Sequence, residues 1–559
     1  MPLPKDLRSF QVNHLPVVTS FMQKIGLLDT LNGLVDSQRQ TDPGTMVSAL
    51  VLNTLCGRSP LYHLEQFFQT QDTELLFGRN IQASCFNDDA AGRALDDLHQ
   101  AGIDLLFSSV SLEACRRLKV DCSTGHFDTT SVNVWGDYQC CQAKPKELQL
   151  NHGHSKDHRP DLKQFVFSLL CVEGNIPLMG LPHDGNSADT KLNNQQLMRV
   201  SQLIKDHPLE EQPFTYIADC KLVTSENLQR LDSTRFITRL PASYKAHDQV
   251  IEQTVKADQW IEIGELAPRQ SKNRPPAHYQ YSEQKIQLYD QEYRAIVIHS
   301  SAHDQRRLKR IERKIGEDRK GAEKEVASVS KRVFACEADA RGELSRLESL
   351  RLNYHRLEPK VEEVPVYGAG RPAQGKPRVP LRLNYRVTCA IQPDSQAMES
   401  KRSQAGCFVL LTNVPSQGEE AMDGPNVLRA YKDQHGVETS FRFLKDPLIV
   451  NDLFLKKPER IEALGMVLML SLLVWNLIER TLRQYIEENQ TTLPGWDKKQ
   501  TTKPTTYMLT WMFTGIIVIR WGAQRRLGNP LQFKTLEYLE ALGLNALIFI
   551  TPPSLNRKT

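Results

Sequence analysis

The chain has 559 residues, 40% of them hydrophobic and 24% charged, so two to four domains are expected rather than one. Together with a mean hydropathy of −0.44, this composition excludes a mainly disordered, collagen-like or membrane-embedded chain. The 70 Lys and Arg residues exceed the 66 Asp and Glu residues by only 4, so any basic surface must be local. Eleven cysteines without a CxxC pair, the nearest two being Cys140 and Cys141, favour a reducing cytoplasm over a disulfide framework or a zinc knuckle.

Residues 1–120 predict a helical N-terminal region. The segments FMQKIGLLDTLNGLV, MVSALVLNTLCGRS and LYHLEQFFQ repeat apolar residues at helical spacing. A turn-rich stretch, NDDAAGRA, then leads into another amphipathic helical pattern. The first residues, MPLPKDLRSFQVNHLPVV, contain no apolar targeting segment, so neither a signal peptide nor an anchor is expected there.

Residues 121–241 change to a mixed α/β pattern. HFDTTSVNVWG alternates as a strand does, and KQFVFSLLCV and IPLMGLPHDG flank the turn EGN, which predicts a hairpin. A helix, the short strand FTYIADC, a helix with Thr224 as its N-cap, and the strand FITRLP follow. The predicted order is strand, strand, strand, helix, strand, helix, strand, with the hairpin at one side of the sheet.

Residues 242–405 interrupt this pattern. They contain strand-like pieces and a charged stretch, 306–351, with 14 Lys or Arg residues against 9 Asp or Glu residues. That stretch is either a solvated helical hairpin or part of a surface for an anionic partner. Residues 364–386 hold basic residues and no acid, and such a loop repels itself without an anionic partner. The basic residues of this loop are Arg371, Lys376, Arg378, Arg382 and Arg386.

Residues 406–450 resume the α/β pattern with the strand CFVLLTN and the helix PNVLRAYKDQHGVETSFRFLKD. Residues 451–559 predict a helical C-terminal region. Its most apolar run, MVLMLSLLVWNLI, is shorter than the roughly 20 residues needed to cross a bilayer. Because the run also contains Ser471 and Asn476, a buried helix is predicted.

Three acids occupy positions from which they could hold metal ions. Asp128 lies in the first strand of the α/β region, Asp219 ends the fourth, and Glu438 lies in the helix that follows the interruption. Ligands bind where neighbouring parallel strands end in open α/β sheets, and carboxylates that converge there favour Mg²⁺ or Mn²⁺. Two such ions can activate a nucleophilic oxygen and stabilise the leaving oxygen of a phosphodiester. Taken singly, each acid is by default a surface or capping residue.

The helix around Glu438 presents three different polar groups on one face. Tyr431, Glu438 and Lys445 are seven residues apart, about two helical turns each, and an apolar stripe lies beside them. Ordinary amphipathicity produces a similar stripe. However, a phenol, a carboxylate and an ammonium in register suit a metal-bound phosphate backbone.

Several segments together resemble the DDE transposases of bacterial insertion sequences. In one branch of that family, the helix of the third acid carries the signature Tyr-x2-Arg-x3-Glu-x6-Lys, which reads here as Tyr431, Gln434, Glu438 and Lys445. Further similar segments, spread between about residues 10 and 540, are FNDDAAGRALDDL, HFDTTSVNVWGDY, SKDHRPDLKQ, YIADCKLVTSENL, VETSFRFLKDP and KKPERIEALGMVLMLSLLVWN.

The resemblance implies a fold and a metal site. The fold would be an RNase H-like mixed-sheet core, interrupted by a mostly β insertion domain, with helical N-terminal and C-terminal regions. Asp128, Asp219 and Glu438 would be the catalytic residues and would hold two Mg²⁺ or Mn²⁺ ions per site.

The resemblance also implies DNA contacts. Tyr431 and Lys445 would contact DNA near the cleaved transposon end. Gln434 stands where the family has arginine, and an amide cannot make the bidentate charged contact of a guanidinium. Arg442 or Lys432 could supply that phosphate contact instead.

Two loops near the predicted site have alternative interpretations. SKDHRPDLKQ offers Lys156 and Arg159 beside the first aspartate strand, either as a plain soluble loop or as phosphate contacts. In HDGNSAD, Asp184 and Asp189 are interpreted as turn and helix-cap residues.

The expected function is that of a transposase, which cleaves insertion-sequence ends and transfers them to target DNA in cut-and-paste transposition. The N-terminal region would read the terminal inverted repeats, and the basic insertion would hold the DNA backbone. A homodimer in the synaptic complex, no membrane partner and a cytoplasmic, nucleoid-associated location in bacteria are also expected. A metal-dependent nuclease without strand transfer and a catalytically inactive DNA-binding derivative remain alternatives.

Overall fold

The computed structural model describes residues 7–57, 59–134, 148–206, 213–231, 234–266, 276–370, 377–446, 455 and 457–553. Cys140 and Cys141, and Arg371 and Lys376 of the basic loop, lie outside these residues. The chain divides into two compact units. The first combines Met1–Thr238 with Ala430–Thr559, and the second is Arg239–Arg429.

The first unit begins with a short strand and a group of helices, as the helical N-terminal prediction requires. The strand is β1 (Arg8–Gln11), and the helices are α1 (Leu15–Lys24), α2 (Leu27–Leu34), α3 (Pro43–Leu52), α4 (Leu64–Gln69), α5 (Thr73–Phe77), α6 (Asp88–Ala101) and α7 (Ile103–Leu118). The single helix predicted from Phe21 onwards is divided at Gly26, which has a φ of 68°. A Cβ at Gly26 would also lie 2.7 Å from the guanidinium of Arg117, so glycine is required there.

The sheet of the first unit has the predicted order of elements. Its strands are β2 (Thr124–Val134), β3 (Lys163–Val172), β4 (Ile176–His183), β5 (Thr215–Ala218) and β6 (Arg235–Arg239), with α8 (Asp189–Asp206) and α9 (Ser225–Arg230) between the last three. The spatial order is β4-β3-β2-β5-β6. β2, β3 and β4 pair antiparallel, whereas β2, β5 and β6 run parallel. The mixed α/β class is therefore confirmed, and Thr224 caps α9 by accepting a hydrogen bond from the N–H of Asn227 (3.2 Å).

The described part of the second unit mixes helices and strands instead of being mostly β. Its elements are α10 (Lys245–Ala257), β7 (Ile261–Glu265), β8 (His278–Leu288), β9 (Gln291–Ser300), α11 (Ser301–Ser330), β10 (Val333–Phe334), α12 (Glu337–Glu348), β11 (His355–Val366), β12 (Arg382–Pro393), α13 (Ser395–Ser403) and β13 (Cys407–Thr412). The strands β13-β9-β8-β7 are neighbours in that order, and β10-β12-β11 form a separate small sheet. The connection to the first unit passes through α14 (Gly424–Asp433).

The charged stretch 306–351 forms helices, and these helices are not fully solvated. α11 and α12 pack on the small sheet around a core of buried side chains, namely Val329, Phe334, Ala340, Leu347 and Val387. The basic loop belongs to the long β11–β12 ribbon. Its Arg378 lies over the ring of Tyr367, 4.9 Å from the centroid, and donates a hydrogen bond to the carbonyl of Gly368 (2.7 Å). Part of its positive charge is thus held by contacts within the ribbon.

The C-terminal part of the first unit supplies its central helix. The remaining elements are α15 (His435–Leu444), α16 (Pro458–Asn489), β14 (Leu493–Pro494), β15 (Gln500–Thr501), α17 (Thr506–Met512), β16 (Ile517–Trp521), β17 (Gln524–Leu527) and α18 (Phe533–Ala541). α16 contacts α1, α3, α6, α7, α15 and β4. It is long and apolar enough to cross a membrane, but 83% of its most apolar window is buried inside the protein. The prediction of a buried core helix is confirmed.

The C-terminal region is not purely helical. β16 and β17 form a hairpin, and β1 from the start of the chain pairs antiparallel with β16, with Arg8 opposite Arg520. Arg525 on β17 forms a buried ion pair with Asp72, which caps α5. The two terminal regions, which the sequence predicts as separate, are therefore parts of one unit.

Candidate active site

The sheet brings the two predicted aspartates next to each other. In the parallel pairing of β2 with β5, Phe127 lies opposite Ala218, and Asp128 and Asp219 are the next residues on the two strands. Asp128 Oδ1 accepts a hydrogen bond from the N–H of Thr129 (2.7 Å), and Asp219 Oδ1 accepts one from the N–H of Lys221 (3.0 Å). Each carboxylate thus accepts a hydrogen bond from a backbone N–H close to it in sequence, and the two aspartates lie on neighbouring strands.

Glu438 is carried by α15, and the single helix predicted around it is in fact two helices. α14 ends at Asp433, Gln434 is a turn residue, and α15 starts at His435. The side-chain amide of Gln434 donates a hydrogen bond to the carbonyl of Phe127 (3.3 Å), the residue before Asp128. Gln434 therefore contacts the first aspartate strand instead of extending freely from a continuous helix.

A tight contact with the β3–β4 turn positions α15. A Cβ added to Gly436 would lie 1.6 Å from Oδ1 of Asn175, whose φ is 60°. Asn476 of α16 donates to the carbonyl of Asn175 (2.8 Å) and to Oγ of Ser440 on α15 (3.4 Å). The hairpin turn and the central helix together determine where α15 lies.

These elements surround a cavity of about 790 Å³. All three predicted acids, Asp128, Asp219 and Glu438, line it. Five of the six residues predicted to bind DNA also line it, namely Tyr431, Gln434, Arg442, Lys445 and Lys156. Arg159 is not among the lining residues and pairs with Asp161 instead (2.7 Å).

Most charges of the cavity have local partners. Lys156 Nζ lies 3.8 Å from Asp128 Oδ1 and donates to the carbonyl of Thr129 (2.5 Å). His435 Nδ1 lies 2.8 Å from Glu438 Oε2. Lys445 Nζ lies 2.8 Å from both carboxylate oxygens of Asp157.

The two aspartates are costly to ionise together. Burial raises the pKa of Asp128 to about 6; the charges of Asp219 and Asp189 act in the same direction, while Lys156 and the N–H of Thr129 oppose them. Burial also raises the pKa of Asp219 above its usual range, against the N–H of Lys221. A bound cation would relieve this repulsion, and carboxylate oxygens are the donors that Mg²⁺ and Mn²⁺ prefer.

The three acids border one cavity but do not form a ready-made metal site. Among the described residues, no three His, Cys, Asp or Glu side chains are grouped closely enough to hold a metal ion. The Glu438 side chain is 60% exposed and faces His435. The chemistry of the donors fits a hard divalent cation. To join Asp128 and Asp219 as a third ligand, Glu438 would have to break its contact with His435 and bind the cation instead.

Three ionisable neighbours of the site were not predicted as site residues. Asp157 and His435 line the cavity, and Asp189 accepts a hydrogen bond from Thr129 Oγ1 (2.7 Å). Asp189 is also the first residue of α8, so its predicted place at a helix start is correct. Asp157 lies inside the segment SKDHRPDLKQ, where its acidic charge among basic residues was an available signal.

One family model matches the N-terminal region of the chain. Residues 7–112 match the model of a domain of unknown function, DUF4277. No curated protein matches the chain. The matched range extends from β1 into α7 and ends before β2, so it includes none of the residues that line the cavity.

Proposed function

We propose that the chain is a DDE transposase, which catalyses metal-dependent cleavage and strand transfer of insertion-sequence DNA ends in cut-and-paste transposition. The observation that carries this proposal is that Asp128, Asp219 and Glu438, far apart in sequence, line one cavity together with the basic residues of α15 and the loop before β3. Acids that hold metal and cations that hold phosphate are the two requirements of phosphodiester chemistry.

The sheet topology also supports an RNase H-like core. Its order, β4-β3-β2-β5-β6, places the first strand of the set in the centre, with an antiparallel hairpin on one side and parallel strands on the other. The second unit interrupts the first between β6 and α15, that is, between Asp219 and Glu438. This arrangement agrees with an insertion domain between the second and third acids.

Each side chain has a role in the proposed reaction. Asp128, Asp219 and Glu438 would hold two Mg²⁺ or Mn²⁺ ions, which when bound supply Lewis acidity for the attack of water, and then of a 3′-hydroxyl, on a phosphodiester. Lys445 and Arg442 would bind backbone phosphates and so hold the scissile bond in place.

Three other cavity residues would assist this arrangement. Tyr431 would contact DNA near the cleaved end. Gln434 would keep α15 against β2 through its hydrogen bond to Phe127. Lys156 would neutralise Asp128 until a cation is bound.

The partners follow from this chemistry. The DNA would comprise the terminal inverted repeats and a target duplex, and the N-terminal helical region would read the repeats. Two ends must be processed together, so a homodimer is proposed for the synaptic complex. The protein would act on bacterial DNA in the cytoplasm, in association with the nucleoid.

The test replaces the acid of α15. In Glu438→Gln, labelled duplexes made from the DNA on both sides of the gene should still bind, whereas cleavage in Mg²⁺ or Mn²⁺ should fall at least a thousandfold, because one metal ligand is lost. Glu487→Gln, an exposed acid near the end of α16, is the matched control and should cleave as the unaltered protein does. Cleavage that survives in Glu438→Gln would show that Glu438 is not a ligand.

A second assay separates the alternatives. Duplexes with preformed 3′-hydroxyl ends and a supercoiled plasmid report strand transfer directly. A transposase joins them, a simple nuclease only nicks the plasmid, and an inactive derivative binds the ends without doing either.

A further inference from the structure

The loop before β3 is attached to the first aspartate strand by several hydrogen bonds. The N–H of Lys156 donates to Oγ of Ser131 (3.0 Å), and Oγ of Ser155 donates to Oδ1 of Asn133 (3.4 Å). Within the loop, the N–H of Asp157 donates to Oγ of Ser155 (3.3 Å). The loop that carries Asp157 is therefore held against β2, and Nδ2 of Asn133 on β2 also donates to Oδ2 of Asp157 (3.4 Å).

The Asp157 carboxylate forms an ion pair with the ammonium group of Lys445. Both of its oxygens lie 2.8 Å from Nζ, and the Lys445 side chain is 22% exposed. Arg442 lies one helical turn earlier and lines the same cavity. Unlike Lys445, it makes no hydrogen bond or ion pair to any residue that the structure describes. One of the two cations is thus open to an external anion, and the other is already neutralised.

We propose that Asp157 masks Lys445 by taking the place of a DNA phosphate in the free protein. A carboxylate and a phosphodiester both present anionic oxygens that accept hydrogen bonds from an ammonium group. DNA that binds Lys445 must displace Asp157 and leave its negative charge beside the phosphate backbone. This exchange lowers the affinity for every duplex alike, so Asp157 weakens DNA binding in general, and stable binding requires additional contacts elsewhere. This inference rests on the proposed function, since it takes DNA as the ligand.

The experiment measures DNA binding without catalysis. A fluorescein-labelled 30-base-pair duplex of arbitrary sequence is titrated with protein in EDTA at low salt, and binding is followed by fluorescence anisotropy. Asp157→Asn should bind about five- to tenfold tighter than the unaltered protein, because Lys445 is released and a repulsive charge is removed. Asp161→Asn is the matched control. It makes the same charge change in the same loop. However, Asp161 pairs with Arg159, and neither residue lines the cavity. Its effect should stay below twofold.

A double-mutant cycle tests whether the gain in DNA affinity of Asp157→Asn depends on Lys445. In a Lys445→Ala background, Asp157→Asn should gain no more than Asp161→Asn does, because the masked cation is absent. Equal gains from the two asparagine variants, a gain that persists without Lys445, or weaker binding by Asp157→Asn would each overturn the proposal. A urea unfolding midpoint for each variant verifies folding, and Asp157→Ser replaces Asp157→Asn if that variant fails to fold.

This inference and the proposed function can fail separately. If the unaltered protein binds no DNA, the proposed function fails and the inference fails with it. If the protein binds DNA but Asp157 behaves like Asp161, the mask alone is wrong and the Glu438 experiment is unaffected.

Discussion

Around the candidate site, individual charged residues are held by close neighbours within the chain. Lys156 stands beside Asp128, His435 beside Glu438, and Asp157 beside Lys445. Each of these contacts must exchange for a cation or a phosphate when the proposed substrate binds. In the pairs of Lys156 with Asp128 and of Lys445 with Asp157, the opposite charges partly offset the repulsion among the carboxylates of the cavity.

A buried histidine of the same sheet should make the protein sensitive to acid. Burial lowers the pKa of His183 on β4 from 6.5 to about 4, and its Nε2 lies 2.7 Å from Oγ of Ser168. Below pH 6.5 the unfolded chain takes up a proton that the folded chain does not accept until about pH 4. The free energy of unfolding should therefore fall by up to about 3 kcal/mol as the pH drops through this window.

His183→Gln removes this titration and keeps a polar neighbour for Ser168. In urea unfolding at several pH values from 7.5 to 4, its stability should decline less steeply than that of the unaltered protein. The exposed His154, changed to Gln, serves as the control and should leave the decline as it is. An unchanged slope in His183→Gln would show that His183 is not the group responsible.

At the scale of elements, the sequence predicts regular strands and helices well and their interruptions poorly. The run KQFVFSLLCV and the turn EGN correctly predict the β3–β4 hairpin, since β-branched and aromatic residues favour strands and a Gly–Asn pair favours a turn between them. The turn at Gln434 was not predicted, because it coincides with a hydrogen bond to Phe127, which is distant in sequence. Nor was the pairing of β1 with β16, because strands of four and five residues at opposite ends of a chain carry no local signal of their pairing.

For the candidate site too, local sequence patterns were predictive, whereas contacts between residues distant in sequence were not predicted. The acids and the Tyr431–Lys445 stripe could be identified from motif and spacing, and the structure places them around one cavity. Their partners could not be identified, because Asp157 and Lys445 meet only through tertiary packing. A mostly β second unit was expected, whereas α10, α11, α12 and α13 make the described part mixed.

The contact between α15 and the β3–β4 turn gives a prediction at this scale. Gly436→Ala should destabilise the protein by about 1–3 kcal/mol and displace α15, because its Cβ would overlap the side chain of Asn175. Asn175→Gly removes that side chain, and glycine readily adopts the φ of 60° found there. The hydrogen bond from Asn476 is unaffected, since it goes to the carbonyl of residue 175.

The double variant Gly436→Ala with Asn175→Gly should therefore recover most of the lost stability in urea unfolding. The proposed DNA cleavage, which displacement of α15 would impair, should recover with it. If the double variant is as unstable as Gly436→Ala alone, steric overlap with Asn175 is not the cause.

For the whole molecule, a buried ion pair connects the two ends of the chain within the first unit. The side chains of Asp72 and Arg525 are 0% and 1% exposed, and Arg520 also contacts Asp72 (2.7 Å). Arg525→Ala should lower the free energy of unfolding by about 3 kcal/mol, because it leaves a buried carboxylate with one cation fewer.

The control is Arg341→Ala on α12, which removes a pair between Arg341 and Glu337 that are 73% and 48% exposed. Its effect on the unfolding free energy should stay within about 0.5 kcal/mol. Similar losses from the two substitutions would mean that burial of the Asp72 pair contributes nothing to its strength.

The position of α16 along the chain has a consequence for biosynthesis. The cavity-lining residues have all left the ribosome before α16, which starts at Pro458, and yet this helix is the one against which α1, α3, α6, α7 and β4 pack. A frameshift or stop codon between residues 446 and 457 would release a polypeptide that has every proposed active-site residue and lacks this helix. Such fragments should be degraded or precipitate, so, under the proposed function, a gene copy truncated there should yield no fragment that occupies DNA ends without cutting them.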